Sequence, residues 1–244
     1  MRNIWTIFKR EFSYYFVSPV SYAVLFMFLI VLGLIFIYDL LGAANSGQAP
    51  VVEQWILGPF VMLALFLTAF ITMRLVAEEN RTGTMELMMT APVREWELIV
   101  GKWVAALGFY LVIIGATLIY ALIANAYTVP GIDLNTLFSA YLGLICLVGA
   151  LLAIGVFTST LFSNQIAAAF SQLAILLGLW LVGLPFQSQT GAVADIVRYL
   201  DISAHYYDNF AQGAIALTDV AYYVSLIVFF LFAASRVIES RRWR

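Results

Sequence analysis

Six apolar runs, each close to the length that crosses a lipid bilayer, constrain this sequence more than any motif. The runs are Val20 to Tyr38, Ile56 to Met73, Trp103 to Ala124, Leu137 to Leu161, Ile166 to Leu184 and Val220 to Val237. A transmembrane helix needs about 17–25 mostly apolar residues. Charged residues make up only 11% of the 244-residue chain, against about 25% in a soluble domain. The sequence therefore predicts an all-α polytopic membrane protein with six transmembrane helices, in a single transmembrane domain over residues 1–244.

The basic residues of the chain fall almost entirely on one side of these six spans. That side carries Arg2, Lys9, Arg10, Arg74, Arg81, Arg94, Lys102, Arg236, Arg241, Arg242 and Arg244. The other side carries only Arg198. Because cytoplasmic loops are enriched in lysine and arginine, this bias predicts that both termini and the loop over residues 74–102 are cytoplasmic.

The first 18 residues are too polar to span a membrane. Trp5, Phe8 and Phe12, followed by Tyr15 or Phe16, recur at helical spacing, with Lys9 and Arg10 on the other side. Aromatic side chains favour the depth of the lipid headgroups. We therefore expect residues 1–18 to form an amphipathic helix that lies in the membrane interface.

A polar segment over residues 74–102 separates the second and third apolar runs. Its charged residues are Arg74, Glu78, Glu79, Arg81, Glu86, Arg94, Glu95, Glu97 and Lys102, which predicts that it lies in water. Within it, Met85 to Met89 is predicted as a short helix that Pro92 ends, with Thr82 or Thr84 as its N-cap. Such a helix, joined directly to two spans, is a suitable lever for a partner protein. The alternative is a solvated hairpin that only connects the two spans.

The long segment over residues 185–219, on the opposite side, is predicted to contain two faintly amphipathic helices, Ala192 to Leu200 and Tyr206 to Ile215. These helices are expected to dip back into the outer leaflet, shielded by protein. His205 lies near Asp201 and Asp208, and these side chains are ligand types for zinc or copper. One histidine without a second one or a cysteine is a weak metal signal, so a surface histidine is the favoured interpretation.

Catalytic motifs and charged groups within the spans are missing from the sequence. There is no phosphate-binding GxxxxGK[ST] loop and no HExxH or CxxC pattern, so no catalytic, cofactor-binding or metal residue is predicted. The lone Cys146 in an apolar run is interpreted as a small buried hydrophobe. No charged residue lies near the middle of an apolar run, which disfavours ion-coupled transport.

Polar residues within the fourth and fifth runs have two interpretations. They either line a substrate path, for which Thr158, Ser171 and Gln172 are the candidates, or form helix-to-helix hydrogen bonds. The whole set is Thr158, Ser159, Thr160, Ser163, Asn164 and Gln165 around the turn between the two runs, and Ser171 and Gln172 in the fifth run. Gly149, Ala153 and Gly155 are small residues whose spacing favours close helix approach.

The segment AEENRTGTMELMMTAPVREWELIVGKW, residues 77–103, resembles the signature of type-2 exporter permeases of ATP-binding-cassette (ABC) transporters. In that signature a Glu-rich turn, Arg-x-Gly-Thr-x-Glu and Thr-x-Pro-Val stand between spans two and three. The N-terminal IFKREFSYYFVSP resembles the interfacial helix of the family. Residues 204–244 are similar to the end of the branch typified by the gliding-motility permease GldF, which is related to the copper-site maturation permease NosY.

This resemblance implies a partner and a role for the polar segment. Two permease chains, identical or related, would sit on two ATP-binding subunits in the bacterial inner membrane, and ATP and Mg would be bound by those subunits. Residues 78–92 would couple the ATPase to the spans. Glu78, Glu79, Arg81 and Glu86 would make polar contacts with the ATPase or the interfacial helix.

The remaining residues of the coupling segment have separate implied roles. Gly83, between Thr82 and Thr84, would permit the turn, Met85, Leu87, Met88 and Met89 would fill an apolar groove, and Pro92 would end the helix. Re-entrant helices would gate the exit over Asp195 to Gly213, which includes Asp201, His205 and Asp208.

The expected function is therefore ATP-driven alternating access for export of an unknown substrate. Two alternatives remain open. The chain could pass ATPase motion to an extracytoplasmic partner without transport, or it could be a membrane scaffold or enzyme that has no ATPase.

Overall fold

The computed structural model describes residues 2–46, 56–85, 93–127, 131–186 and 191–241. These residues form helices, turns and bends, and no β-strand occurs within the described ranges. The α-helices in chain order are α1 (Arg2–Val17), α2 (Pro19–Ser46), α3 (Gly58–Thr72), α4 (Ala77–Thr82), α5 (Glu95–Tyr127), α6 (Leu134–Leu161), α7 (Gln165–Leu181), α8 (Ala192–Leu200), α9 (Ala204–Tyr207) and α10 (Leu217–Arg241). Single 3₁₀ turns occupy Leu184–Phe186 and Phe210–Gln212.

Five helical stretches in the described residues are long and apolar enough to cross a bilayer. They are Ser21–Ala43, Gly58–Thr82, Glu95–Tyr127, Leu134–Leu161 and Leu217–Ser240. The fifth predicted span corresponds to α7, an apolar helix of 17 residues. The all-helical class is confirmed, whereas the count of six spans stays a prediction.

Helix α5 differs most from its predicted span, because it begins at Glu95 rather than at Trp103. Its first two turns contain Glu97 and Lys102, which the sequence placed in the polar loop. Both side chains are buried, at 8% and 1% exposure. They were missed because α1 packs along α5 and covers these turns, which hydropathy along the chain does not reveal.

Helix α1 carries an aromatic ladder, as the sequence predicts. Trp5, Phe8, Phe12 and Phe16 stack successively with ring centroids 4.9–5.2 Å apart. Tyr15 instead stacks on Phe109 of α5, with centroids 4.8 Å apart. The helix is thus fixed to the third apolar run as well as being amphipathic.

Helix α6 is the centre of the bundle and packs against α3, α5, α7 and α10. It can lie there because small residues let its neighbours approach closely. The indole Nε1 of Trp103 donates to the carbonyl oxygen of Gly149 at 2.9 Å. The prediction that small residues of the fourth run serve packing is confirmed at this glycine and at Gly155.

Gly155 faces a polar junction between α3 and α7. A Cβ atom at this position would collide with the Thr72 hydroxyl and would lie 2.5 Å from the Gln172 amide. These two side chains bond to each other, with Thr72 Oγ1 donating to Gln172 Oε1 at 2.5 Å. Gln172 Nε2 donates in turn to the carbonyl oxygen of Leu151 at 3.3 Å, so one side chain joins three helices.

We expect Gly155→Ala to destabilise the chain, because the added methyl group has to displace the Thr72–Gln172 pair. Overpacking of this kind costs about 1–3 kcal/mol. The matched control is Gly178→Ala in α7, where a Cβ would meet nothing within 4 Å. The thermal unfolding midpoint of each variant in detergent checks this expectation. A midpoint for Gly155→Ala equal to that of Gly178→Ala would contradict it.

Candidate functional site

The ammonium group of Lys102 lies at the point where three helical segments meet. Its Nζ donates to Glu79 Oε1 at 2.7 Å, to the Leu75 carbonyl oxygen at 2.7 Å and to Glu11 Oε1 at 3.3 Å. An ammonium group has three N–H donors, so all of them are used. We call Lys102, Glu79, Glu11 and Arg10 the Lys102 cluster. It connects α1, the start of the polar segment and α5.

The carboxylates of the Lys102 cluster are mostly shielded from water. The exposed fraction of the side chain is 13% for Glu79 and 15% for Glu11. Burial acts to raise the pKa of Glu11, but the charge of Lys102 and the hydrogen bond from Arg10 outweigh burial and hold that pKa below its ordinary value of 4.5. The ionised form is therefore favoured in the fold. Its stabilising contribution is complete above pH 4.5 and is lost as the pH falls through the lowered pKa.

A second set of hydrogen bonds ties α4 to the central helix. The hydroxyl oxygen of Ser159, near the end of α6, accepts from the backbone N–H groups of Val76 and Ala77, both at 3.0 Å. Asn80 Nδ2 donates to the Phe162 carbonyl oxygen at 3.3 Å. Ser159 therefore satisfies amide groups at the beginning of α4, which would otherwise have no helical partner.

Gly83 ends α4 in the left-handed conformation, with φ at 72°. Residues with a side chain rarely adopt this φ, so the glycine permits the turn as predicted. On the outer surface of α4, Arg81 pairs with Glu78 at 3.7 Å, and their side chains are 62% and 40% exposed. Thr82 and Thr84 are exposed and their hydroxyl oxygens lie 3.0 Å apart.

The structure corrects two expectations about the polar segment. Glu79 and Lys102 are inside an ion cluster rather than in water, because α1 covers them and supplies Glu11. Met85, expected in a partner's apolar groove, is 4% exposed and lies in this chain's own core. Glu86, Leu87, Met88, Met89 and Pro92 lie outside the described residues.

The residues suggested for a substrate path have separate environments. Gln172 is fully buried and makes the helix-to-helix hydrogen bonds given above, so the alternative interpretation is confirmed for it. Thr158 is buried and its hydroxyl donates to the Gly155 carbonyl oxygen of its own helix at 3.0 Å. Ser171 is half-buried on α7.

At the other end of α6, the residues expected to form an outer gate are only partly brought together. Asp201 Oδ1 accepts from Ser203 Oγ at 2.7 Å and from the Ser203 backbone N–H at 2.9 Å, which orients the turn before α9. Asp208 is exposed. His205 is 7% exposed and stacks on Tyr222 of α10, with centroids 3.9 Å apart. The expectation of a surface histidine was therefore wrong, because α10 packs over the ring.

Both nitrogens of His205 face hydrogen-bond acceptors. Nδ1 lies 2.8 Å from Asp219 Oδ1, and Nε2 lies 2.9 Å from the Tyr199 carbonyl oxygen. Each ring nitrogen is therefore within hydrogen-bond distance of an acceptor on a different helix. Asn209 Nδ2 donates to the other oxygen of Asp219 at 2.8 Å. This network fastens α8 and α9 to the start of α10.

His205, Asp201 and Asp208 are not gathered into one set of potential metal ligands. No group of three or more potential histidine, cysteine, aspartate or glutamate ligands occurs in the part of the chain that the structure describes. The partner that sequence reasoning missed is Asp219, fourteen residues from His205 along the chain. At the opposite end it missed Glu11, whereas Ser159 was among the polar residues expected to form helix-to-helix hydrogen bonds. Acidic residues are common near the ends of spans, so their presence there does not predict a contact with another helix.

A comparison with protein families now assigns the chain. Residues 38–236 match the family model described as ABC-2 family transporter protein, which covers well over half of the 244 residues. The chain belongs to the ABC-2 transporter family. No curated protein matches it significantly.

Family membership agrees with the apolar helices and defines the general role of the chain. This ABC-2 family chain is a multi-pass membrane protein and a permease subunit of an ABC transporter, in which a separate subunit binds ATP. The matched region includes the polar segment, α3 to α9 and most of α10. Helix α1, which supplies Glu11 and Arg10 to the Lys102 cluster, precedes it.

We expect Lys102→Met to destabilise the ABC-2 chain strongly. The substitution keeps the length of the side chain but leaves Glu79 and Glu11 without their shared cation. Removing one partner of a buried ion pair costs about 3–5 kcal/mol. The unfolding midpoint in detergent is the measurement, and Lys9→Met on the exposed side of α1 is the control. Equal midpoints for the two variants would show that the cluster contributes little.

His205→Phe tests the network at the other end of the bundle. The phenyl ring of the variant keeps the stacking on Tyr222 but cannot form either hydrogen bond. Asp219 and the Tyr199 carbonyl oxygen each lose one hydrogen-bond partner. We expect a loss of about 2–4 kcal/mol, measured as a lower unfolding midpoint. The exposed Asp208→Asn is the control and should change stability by less than about 0.5 kcal/mol. An unchanged midpoint for His205→Phe would contradict the proposed fastening.

Proposed function

We propose that this permease couples ATP hydrolysis in a partner subunit to export through residues 78–92. The observation that supports the proposal is the continuous set of contacts that leads from α4 into the bundle. Lys102 joins α4 to α1 and α5, and Ser159 joins α4 to α6. Force applied beyond Gly83 would therefore act on three packed helices together, which is what a coupling element requires.

Exposed charge is available at the start of this segment for contact with the ATPase. Arg81 and Glu78 are the exposed pair on α4, whereas Glu79 belongs to the Lys102 cluster. We assign Arg81 and Glu78 to recognition of the ATPase. Glu79 is assigned to transmission of the ATPase motion within the permease. Glu86, Leu87, Met88, Met89 and Pro92 complete the proposed contact on the basis of the sequence.

The wider assembly is part of the same proposal. Two permease chains, identical or related, associate with two ATP-binding subunits that hold ATP and Mg in the bacterial inner membrane. Both termini and the polar segment are cytoplasmic, α7 is the remaining one of six spans, and α1 lies in the interface. Residues 185–219, with Asp201, His205 and Asp208, form the re-entrant outer gate. Within the family, we assign the chain to the GldF-like branch on the resemblance of residues 204–244.

A second function, force transmission without transport, is favoured by one observation. The polar side chain best placed for a substrate path, Gln172, is fully buried and already bonded to Thr72 and Leu151. The polar groups around Gln172 are used in contacts between helices and do not present a polar surface to a substrate. An extracytoplasmic partner would then receive the motion through residues 185–219.

We expect the tagged chain to co-purify with an ABC ATP-binding subunit in roughly equal amount, and the complex to show vanadate-sensitive ATP hydrolysis. Arg81→Glu should reduce recovery of that subunit about tenfold or more, since a charge-assisted contact would become repulsive. Glu86→Arg should have the same effect. Asp208→Arg, an exposed charge reversal at the opposite end of α6, is the control for assembly.

Two results would contradict the proposal. Recovery of the chain alone, without hydrolysis, would favour the scaffold interpretation. Full assembly and activity in both Arg81→Glu and Glu86→Arg would exclude the polar segment as the coupling element.

A further inference from the structure

A groove of about 630 Å³ runs between the beginning of α5 and the end of α10. We call it the α5–α10 groove. One end is charged, with Arg94 and Glu95 from the α5 side and Arg236 and Glu239 from α10. Its volume is within the range of about 300–1,000 Å³ that is typical of ligand sites. The groove is separate from the Lys102 cluster, which lines a different cavity.

The other end of the groove is apolar and extends along α10. Its walls include Val100 from α5 and Val228, Leu231 and Phe232 from α10. Val228 precedes Arg236 by eight residues, which places them about 12 Å apart along a helix. Val228 and Phe232 are 62% and 57% exposed. The groove thus has the polarity of a lipid, with a charged head and an apolar body.

The charges at the head of the groove are balanced. Two guanidinium groups and two carboxylates would attract an anionic headgroup only weakly, because the acidic residues oppose the basic ones. A zwitterionic headgroup matches both signs. Guanidinium groups bind phosphate with paired hydrogen bonds, and carboxylates accept hydrogen bonds from a primary ammonium.

The aromatic residues of the groove distinguish two kinds of zwitterion. A quaternary ammonium is usually held by the faces of several aromatic rings. Here the guanidinium of Arg236 already covers the Phe232 ring, at 4.9 Å from its centroid, and Trp96 is the other aromatic residue that lines the groove. A primary ammonium, which carboxylates can bind directly, therefore fits better.

We propose that the α5–α10 groove binds a phospholipid with a primary ammonium headgroup, of the phosphatidylethanolamine type. Arg94 and Arg236 bind the phosphate, Glu95 and Glu239 bind the ammonium, and one acyl chain follows Val100, Leu231 and Phe232. Trp96 is 44% exposed beside the charged end, and indole rings favour the membrane interface. The permease thereby holds one lipid between its third apolar run and its last.

Native mass spectrometry of the delipidated chain tests this site. The chain is incubated separately with palmitoyl-oleoyl phosphatidylethanolamine, phosphatidylcholine and phosphatidylglycerol, and the bound lipid is counted. We expect phosphatidylethanolamine to bind about fivefold or more tightly than the other two, a difference of about 1 kcal/mol. Arg94→Gln with Arg236→Gln should weaken the binding of all three lipids, because the two arginines bind the phosphate that all three carry.

Arg81→Gln is a matched control, because Arg81 and Arg236 are 62% and 60% exposed and each pairs with a glutamate one helical turn away. It should leave the binding of all three lipids unchanged. If the double variant fails to fold, the exposed Glu239→Gln should by itself bring the binding of phosphatidylethanolamine close to that of phosphatidylcholine.

Several outcomes would overturn the proposal. Equal binding of all three lipids would show that the groove has no subsite for the ammonium group. Stronger binding of phosphatidylglycerol would indicate a simple basic patch. Unchanged lipid binding in the double variant, with loss of the ATPase subunit or of a second permease chain, would identify the groove as a protein interface. None of these lipid-binding results depends on whether the permease exports a substrate or transmits force.

Discussion

The buried ammonium group of Lys102 sets the arrangement of helices at one end of this ABC-2 permease. A charge that is 1% exposed has to find partners within the protein, because no water replaces them. Three acceptors from three segments surround it, and they can do so only when α1 lies across α5 and α3 is followed by a turn at Leu75. The position of the N-terminal helix and the start of the polar segment therefore depend on one side chain.

The same requirement operates at the other end of the bundle with different groups. His205 and Asp219 are both buried, and each satisfies the other together with Tyr199 and Asn209. Between the two ends, α6 is held by close contact, with Gly155 leaving room for Thr72 and Gln172. The apolar surfaces alone would permit helices to slide or rotate past one another. Directional polar contacts at both ends and one in the middle fix their register.

The sequence predicts the helices of this fold much better than their contacts. Apolar runs of span length follow from composition, so α3, α6, α7 and α10 were expected within a few residues. Helix α2 continues to Ser46 rather than ending at Tyr38, α4 was not predicted, and α5 begins before its predicted start. That start was missed because Glu97 and Lys102 carry charge, and hydropathy cannot show that another helix covers them. The partners Glu11 and Asp219 are distant in sequence from Lys102 and His205. The turn at Gly83 was implied by the family resemblance, and its physical cause is the local backbone geometry that glycine permits.

The charged residues at the cytoplasmic end of the proposed topology are of two kinds, buried and exposed. In the Lys102 cluster the charges neutralise one another inside the protein, and their contribution goes to fixing helices. Arg81, Arg236 and Glu239 keep 62%, 60% and 44% of their side chains exposed, so their pairs with neighbours add little stability. Such residues can exchange a neighbour for an external ligand at small cost. The two proposals therefore assign recognition, of an ATPase by α4 and of a lipid headgroup by the α5–α10 groove, to the exposed pairs, and they assign transmission to the buried cluster.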